Sequence, residues 1–338
     1  MKPRGHRLGW GLGGVVLLSL LACETVVDVP PPPHTPQLVA QGFFTPDSLW
    51  VVRVTRTTPF TAATPPAFLQ DASVEVWEDG QLVARPALTD SGTYVAAGQG
   101  AQPGHTYTLR VSAPGHTPIE GHDRLPAPPE VTAFHEQVIP PPDSTTRRYR
   151  TRVEVTLQDP PAEDNYYGLL VVQARWSVDP ATGQVLPLLP SLFPFESEDA
   201  ALEESALDVL NQDAHTYLEA FFSDNPFQGN AHTFAFDLQY DAPAPGAGLV
   251  IQRAWGVVLL SVSEDLYRYW KTAGQQALTN ENPFAEPLRV HSNMTNGFGV
   301  FAGFQYRLHP LTQSSTALLP GIWCAQVGPG LPICGGTR

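Results

Sequence analysis

The 338-residue chain is poor in positive charge, with 19 Lys and Arg against 33 Asp and Glu. A formal net charge of −14 opposes the counterion release that drives binding to nucleic-acid phosphates, so nucleic acid is excluded as a partner. Cysteine is equally scarce. Only Cys23, Cys324 and Cys334 are present, and their spacing excludes a catalytic Cys-x-x-Cys site. There is no Gly-x-Ser-x-Gly elbow, no His-Glu-x-x-His and no phosphate-cradling glycine loop. No long hydrophobic run occurs either: the most apolar stretch, Trp10 to Leu21, is shorter than the roughly 20 residues of a spanning helix.

Turn formers are abundant. With 28 Gly and 35 Pro the composition disfavours a helix bundle, because neither residue suits a helix interior. At 42% hydrophobic and 15% charged residues the chain has enough apolar surface to fold, and turn-rich β structure is the expectation.

The N-terminus reads as an address. Lys2, Arg4 and Arg7 precede the apolar stretch as in a signal peptide, and Leu20-Leu21-Ala22-Cys23 resembles the bacterial lipobox. Residues 1–22 are therefore expected to be removed and Cys23 to carry the lipid, palmitate among its acyl chains. Two thioether-linked chains plus an amide-linked one anchor stably where a single chain does not, since each buried CH₂ contributes roughly 0.8 kcal/mol. Residue 24 is Glu rather than the Asp associated with inner-membrane retention, which favours the outer membrane, on its periplasmic or cell-surface face, and leaves the inner membrane as the alternative.

Residues 23–36 form a spacer stiffened by Pro30 to Pro33. From 37 to 127 short apolar segments recur between Pro, Gly and Asp turns. Asp79-Gly80 is a two-residue hairpin signal, and Pro103-Gly104-His105-Thr106-Tyr107-Thr108-Leu109 resembles a strand entry of immunoglobulin-like modules. The fold class expected is mainly β: an N-terminal immunoglobulin-like β-sandwich, then a second β-sandwich or barrel-like domain over 128–310 with about two helices, and a tail over 311–338. The helices are expected over 199–212 and 264–278, the second capped by Ser263, paired from Glu264 to Arg268, and burying Leu266, Tyr269, Trp270, Ala273 and Ala277. Asn296-Gly297 reads as the turn of a closing hairpin, with Gly299 and Gly303 admitting a large neighbour.

Several residues invite a chemical reading. Cys324 and Cys334 are expected to pair in an oxidising compartment, closing a short loop for about 3 kcal/mol in chain-entropy models. His105, His116, His122 and Asp123 lack a zinc-like spacing and read as solvated loop residues. The acidic run Glu196, Glu198, Asp199, Glu203, Glu204 and Asp208 lacks the pattern of a calcium loop and reads as a helix face. No metal and no cofactor is expected. Among the aromatics of the second segment, Tyr166, Tyr167, Trp176, Trp255, Tyr267, Tyr269 and Trp270, core packing accounts for most, and Trp176, Trp255 and Tyr267 are the candidates for contact with a ligand.

The chain also resembles the lipoprotein family catalogued as domain of unknown function 4249, usually encoded beside TonB-dependent outer-membrane receptors. The residues that carry the likeness are Cys23 to Val29, Leu38 to Asp47, Asp159 to Tyr167, Ser223-Asp224 with Phe227 and Gly229, and above all Phe284 to Phe301. There Pro283-Phe284-Ala285-Glu286-Pro287, Ser292-Asn293 and Asn296-Gly297-Phe298-Gly299-Val300-Phe301 follow the family's signature, whereas the ending Cys334-Gly335-Gly336-Thr337-Arg338 is shorter than in comparable members. The resemblance implies a non-enzymatic, lipid-anchored accessory of a TonB-dependent receptor in nutrient uptake, with no catalytic residue to transfer. The alternatives are a cell-surface scaffold or adhesion module and, third, a surface hydrolase.

Overall fold

A computed structural model describes residues 34–311 apart from 47, 60–66, 98–99, 143–147, 162, 179–180, 184, 188–190, 204–215, 242–249 and 280–287, and gives backbone alone at 174–178, 185–187, 250–253 and 278–279. The first strands are β1 (Leu38–Phe44), β2 (Trp50–Arg56), β3 (Ser73–Glu78), β4 (Gln81–Ala84), β5 (Ala87–Asp90), β6 (Thr93–Ala96), β7 (Thr106–Ser112) and β8 (Ile119–Arg124). They continue with β9 (Glu130–Ile139), β10 (Arg148–Gln158), β11 (Tyr166–Val178), β12 (Val185–Pro187), β13 (Ser191–Leu192) and β14 (Phe195–Glu196). After a 3-10 turn at Ala200–Leu202 come β15 (Thr216–Tyr217), β16 (Glu219–Ser223), β17 (Ala231–Asp241) and β18 (Val250–Val262). Helix α1 (Glu264–Thr279), β19 (Met294–Thr295) and β20 (Phe298–Pro310) close the described chain.

These strands build one long sheet and two short ones. The long sheet runs β12-β11-β18-β20-β1-β2-β6-β5, with β13 and β16 also on β11. One short sheet is β19-β8-β7-β3-β4 and the other β15-β14-β17-β10-β9. Side chains alternate across a strand, and the buried residues show what each face meets. Leu38, Ala40 and Phe44 of β1 pack with Val76, Tyr107 and Leu109 of the first short sheet. Trp255, Val257 and Leu259 of β18 pack with Val153, Val155, Phe234 and Phe236 of the second. The opposite face of the long sheet offers Val258, Leu260, Val300, Ala302 and Phe304 to Leu266 and Tyr267 of α1. The result is two sandwich-type cores side by side on one backing sheet, with the helix behind.

Strand β20 makes the backing sheet continuous. It pairs antiparallel with β18, Phe304 opposite Val262, and parallel with β1, where Ala40 meets Gly299 and Phe44 meets Gly303. Strands from both sides of residue 127 thus share one sheet. The approach of β1 to β20 is set by glycine: at Gly299, φ is +118°, and a Cβ there would fall 1.8 Å from the Ala40 carbonyl oxygen. At Gly303 a Cβ would meet the Phe44 ring at 2.8 Å, the large neighbour expected of that residue.

The hairpin expected at Asn296-Gly297 is a crossover instead. Met294 and Thr295 pair with β8 in the first short sheet, while β20 starts at Phe298 in the long one. Asn296, at φ 61°, turns the chain between layers, and a Cβ on Gly297 would strike Ile119 at 2.5 Å. A similar switch places residues 81–84 and 87–90 in different sheets, as β4 and β5, on either side of Arg85-Pro86. Pro86 has no N–H to continue a ladder, which accounts for the break. The Asp79-Gly80 hairpin forms between β3 and β4, both turn residues having positive φ. Of the two helices, α1 covers the expected span, whereas the first is a 3-10 turn at Ala200–Leu202 capped by Asp199, and 204–212 lie outside the described residues.

Candidate functional site

The family-like segment near the C-terminus converges with β8 and the start of α1. Ser263 caps α1 by accepting the Leu266 N–H at 3.2 Å, and its own N–H donates to the Gly303 carbonyl at 3.1 Å. Beside it, Asp123 of β8 accepts the Gly303 N–H at 2.9 Å and the Arg124 N–H at 2.8 Å. On α1, Asp265 meets the His291 Nε2 at 2.7 Å and accepts from Asn293 Nδ2 at 3.2 Å. Asn293 in turn donates to the carbonyls of Phe301 (2.8 Å) and His122 (3.2 Å) and accepts the Phe301 N–H at 3.0 Å. Three elements from different layers are therefore locked by side chains bonding to backbone. Burial pushes the Asp123 carboxyl up to about 7, opposed by hydrogen bonds from Ser263, Gly303 and Arg124 and assisted by the nearby Asp265 charge.

This network props one wall of a cleft. The segment 288–292 stands off α1, held by the His291 N–H donating to Thr272 Oγ1 at 2.8 Å. Between them lies a space of about 350 Å³, floored by Val39, Gln41 and Val300 of the parallel β1–β20 pair and bordered by Tyr269, Arg289 and Phe298. Gln41 Nε2 donates to the Tyr269 hydroxyl at 3.1 Å, and the Arg289 guanidinium sits 5.9 Å from the centroid of Phe298. The volume is within the ordinary range for a small-molecule site.

A second polar cluster ties loops of the other sandwich. Asp159, fully buried, accepts the Tyr167 hydroxyl at 2.6 Å and the Gly229 N–H at 2.7 Å, so both oxygens are committed. Asp224 accepts the Asn165 N–H at 2.8 Å, and burial raises its carboxyl. Burial and the Asp159 bond likewise raise the Tyr167 phenol. These acids close the turn after β10 against the turn after β16.

The residues singled out from sequence fall in different places. Trp255 lies in the core under the second short sheet and Tyr267 in the core under α1, on opposite faces of the long sheet, so the fold does not bring them together. Trp176 is in β11, its side chain outside the described residues, as are Cys23, Cys324 and Cys334. Tyr267 stacks on Tyr166 at 4.7 Å, while among the described side chains of that aromatic group only Tyr269 borders the cleft. His105 pairs with Asp79 at 2.7 Å, whereas Asp123 is committed to the Gly303 N–H at the layer junction. Glu196 accepts from Gln239 and Asp199 holds His232 at 2.9 Å, while Glu204 and Asp208 lie outside the described residues. Asp265, His291, Arg289 and Gln41 have no chemical signature in the sequence beyond the place of the last three in the family-like stretches. The Ser292-Asn293 pair was the one local signal, since a small polar pair beside a glycine-rich strand marks backbone capping.

Among the described residues no helix is long and apolar enough to cross a membrane. Fold and site define a mainly β protein of sandwich type, with its polar junction built from the family-like segment. The chain belongs to the family described as domain of unknown function (DUF4249), whose model matches residues 24–308. Comparison with curated proteins gives no match.

Proposed function

We propose that this protein is a non-enzymatic, lipid-anchored binding protein of the outer membrane, acting as an accessory of a TonB-dependent receptor in nutrient uptake. The observation that carries the binding reading is the cleft on the helix side of β1 and β20, whose wall is held in place by the Asp265–His291–Asn293 network. In the buried carboxyl groups of Asp123 and Asp159 both oxygens are held by protein donors, which supports a structural role for them. The lipobox-like Leu20-Leu21-Ala22-Cys23 supports the anchor, and the family resemblance supports the receptor partner.

Leu288, 41% exposed at the rim of the cleft, is the position from which to test the partner. A photo-cross-linking amino acid placed there in intact cells is expected to give one dominant adduct with a TonB-dependent barrel. Adducts only with unrelated abundant envelope proteins would overturn the accessory role.

A further inference from the structure

We propose that the cleft between α1 and the β1–β20 pair takes a small apolar carboxylate, its anionic end on Arg289 and its body against Val39, Phe298 and Val300. The proposal rests on the binding reading above and names the class of ligand.

Charge distribution selects the anion. Several surface arginines reach acids, Arg85 to Glu75, Arg110 to Glu120, Arg152 to Asp237 and Arg268 to Glu264, whereas Arg56 and Arg307, outside the cleft, reach none among the described residues. Arg289 reaches no carboxylate among the described residues, and its guanidinium contact is the face of Phe298. Arg53 is a second such cation. It lies directly opposite Gln41 in the β1–β2 ladder, hence on the same face of the sheet as the cleft floor. Two guanidinium groups with no acid partner among the described residues, in a chain of net charge −14, set a local positive field where a lone anion is favoured.

The remaining donors fit the same ligand. The Tyr269 hydroxyl accepts from Gln41, which leaves its own proton for an acceptor in the cleft. Among the described residues no acid lines the cleft, and Asp265, which adjoins it through His291, is occupied by His291 and Asn293. A cationic ligand would face Arg289, and a neutral apolar one would leave it without a partner. A polyanion is disfavoured by the acidic surface as a whole.

The test uses the full chain held in lipid nanodiscs, with 3-phenylpropionate as probe and 3-phenylpropanamide and 3-phenylpropylamine as its neutral and cationic counterparts. Binding is read by saturation-transfer NMR against empty nanodiscs. The acid is expected to bind at least about tenfold more tightly than the amide, the amine not at all, since a charge-assisted guanidinium–carboxylate pair is the discriminating contact. Arg289→Gln is expected to bring the acid down to the amide's affinity, with the urea midpoint unchanged because Arg289 is exposed. Arg56→Gln, an exposed arginine outside the lining, is expected to leave binding as it was. Equal binding of acid and amide, undiminished acid binding in Arg289→Gln, or no acid binding to the wild-type chain would each overturn the proposal. If that happens while the Leu288 cross-link to a barrel persists, the ligand class is wrong and the accessory reading stands.

Discussion

The amide of Asn293 pairs with both backbone groups of Phe301, donating to its carbonyl at 2.8 Å and accepting its N–H at 3.0 Å. One side chain thus stands in for a neighbouring strand at the point where β20 enters the long sheet. Asn293→Ala would leave the Phe301 groups without that partner and free the Asp265 carboxylate from one of its two contacts. A loss of about 2–3 kcal/mol is expected in urea unfolding, given about 1–3 kcal/mol for each polar group left unsatisfied. Asn293→Asp restores the acceptor but not the donor, and sets a second carboxylate beside Asp265, so it is expected to be no better than alanine.

The start of β20 should be intolerant of any side chain at 299. Gly299→Ala sets a Cβ 1.8 Å from the Ala40 oxygen at φ +118°, so β1 and β20 must separate. Gly80→Ala is the control: its φ of +84° is also positive, but nothing lies within 4 Å. The control is expected to cost about 1 kcal/mol and Gly299→Ala more than about 3 kcal/mol, or to prevent accumulation of folded protein. Comparable melting temperatures for the two variants would contradict the close β1–β20 pairing.

Stability should depend on pH through Asp123. Its carboxyl is raised to about 7 in the folded chain, against about 3.9 when unfolded, so the folded state holds a proton that the unfolded state has released. Folding stability from this group is therefore highest below about pH 4, falls as pH rises towards about 7, and is level above it. Glu219, raised to about 7 by burial, contributes with the same sign. Asp123→Asn is expected to flatten the fall of the urea midpoint between pH 4 and 7 while lowering it throughout, because Asn offers one acceptor oxygen where Asp123 serves two N–H groups. An unchanged slope would show that Asp123 is ionised in the fold across that range.

Asp159 and Tyr167 should behave as a coupled pair. Tyr167→Phe leaves one oxygen of a fully buried carboxylate without its donor, and Asp159→Asn retains an acceptor for either Tyr167 or Gly229 but not for both. A double-mutant cycle is expected to give a coupling of about 1–3 kcal/mol, as for charged hydrogen bonds in buried sites. Additivity would mean the hydroxyl finds another acceptor.

Local rules carried much of the fold and little of the site. Period-2 alternation, the Asp79-Gly80 turn and the Ser263 cap with its Glu264–Arg268 pair sufficed for the strands of the first segment and for α1. What they could not show was the partner of a strand far away in sequence. The parallel β1–β20 pair joins residues near 40 to residues near 300, and no local pattern encodes it. The error at Asn296-Gly297 has the same origin: the dipeptide fixes positive φ at Asn296, but which sheet the following strand joins is decided by the glycine-permitted contact at Gly299. Aromatic content drew attention to Trp255 and Tyr267, which the sheet separates, because hydrophobicity marks core and pocket alike. Arg289 and Gln41 lie within the stretches that carry the family likeness, but their part in the cleft becomes visible only when β1, β20 and α1 surround one space.

The lipid anchor is open to direct labelling. Cys23→Ala is expected to abolish incorporation of radiolabelled palmitate and to release the chain from the membrane fraction, while Cys324→Ala and Cys334→Ala leave both unchanged. Labelling that survives Cys23→Ala would move the anchor elsewhere.

The accessory role is tested most directly by mild solubilisation of the native acylated protein, affinity capture, and quantitative mass spectrometry of what accompanies it. A TonB-dependent barrel recovered near one-to-one, and lost when Cys23 is replaced by Ala, is the expected result. Recovery of the protein without any barrel across several mild detergents would contradict the account and leave a free-standing surface protein in its place.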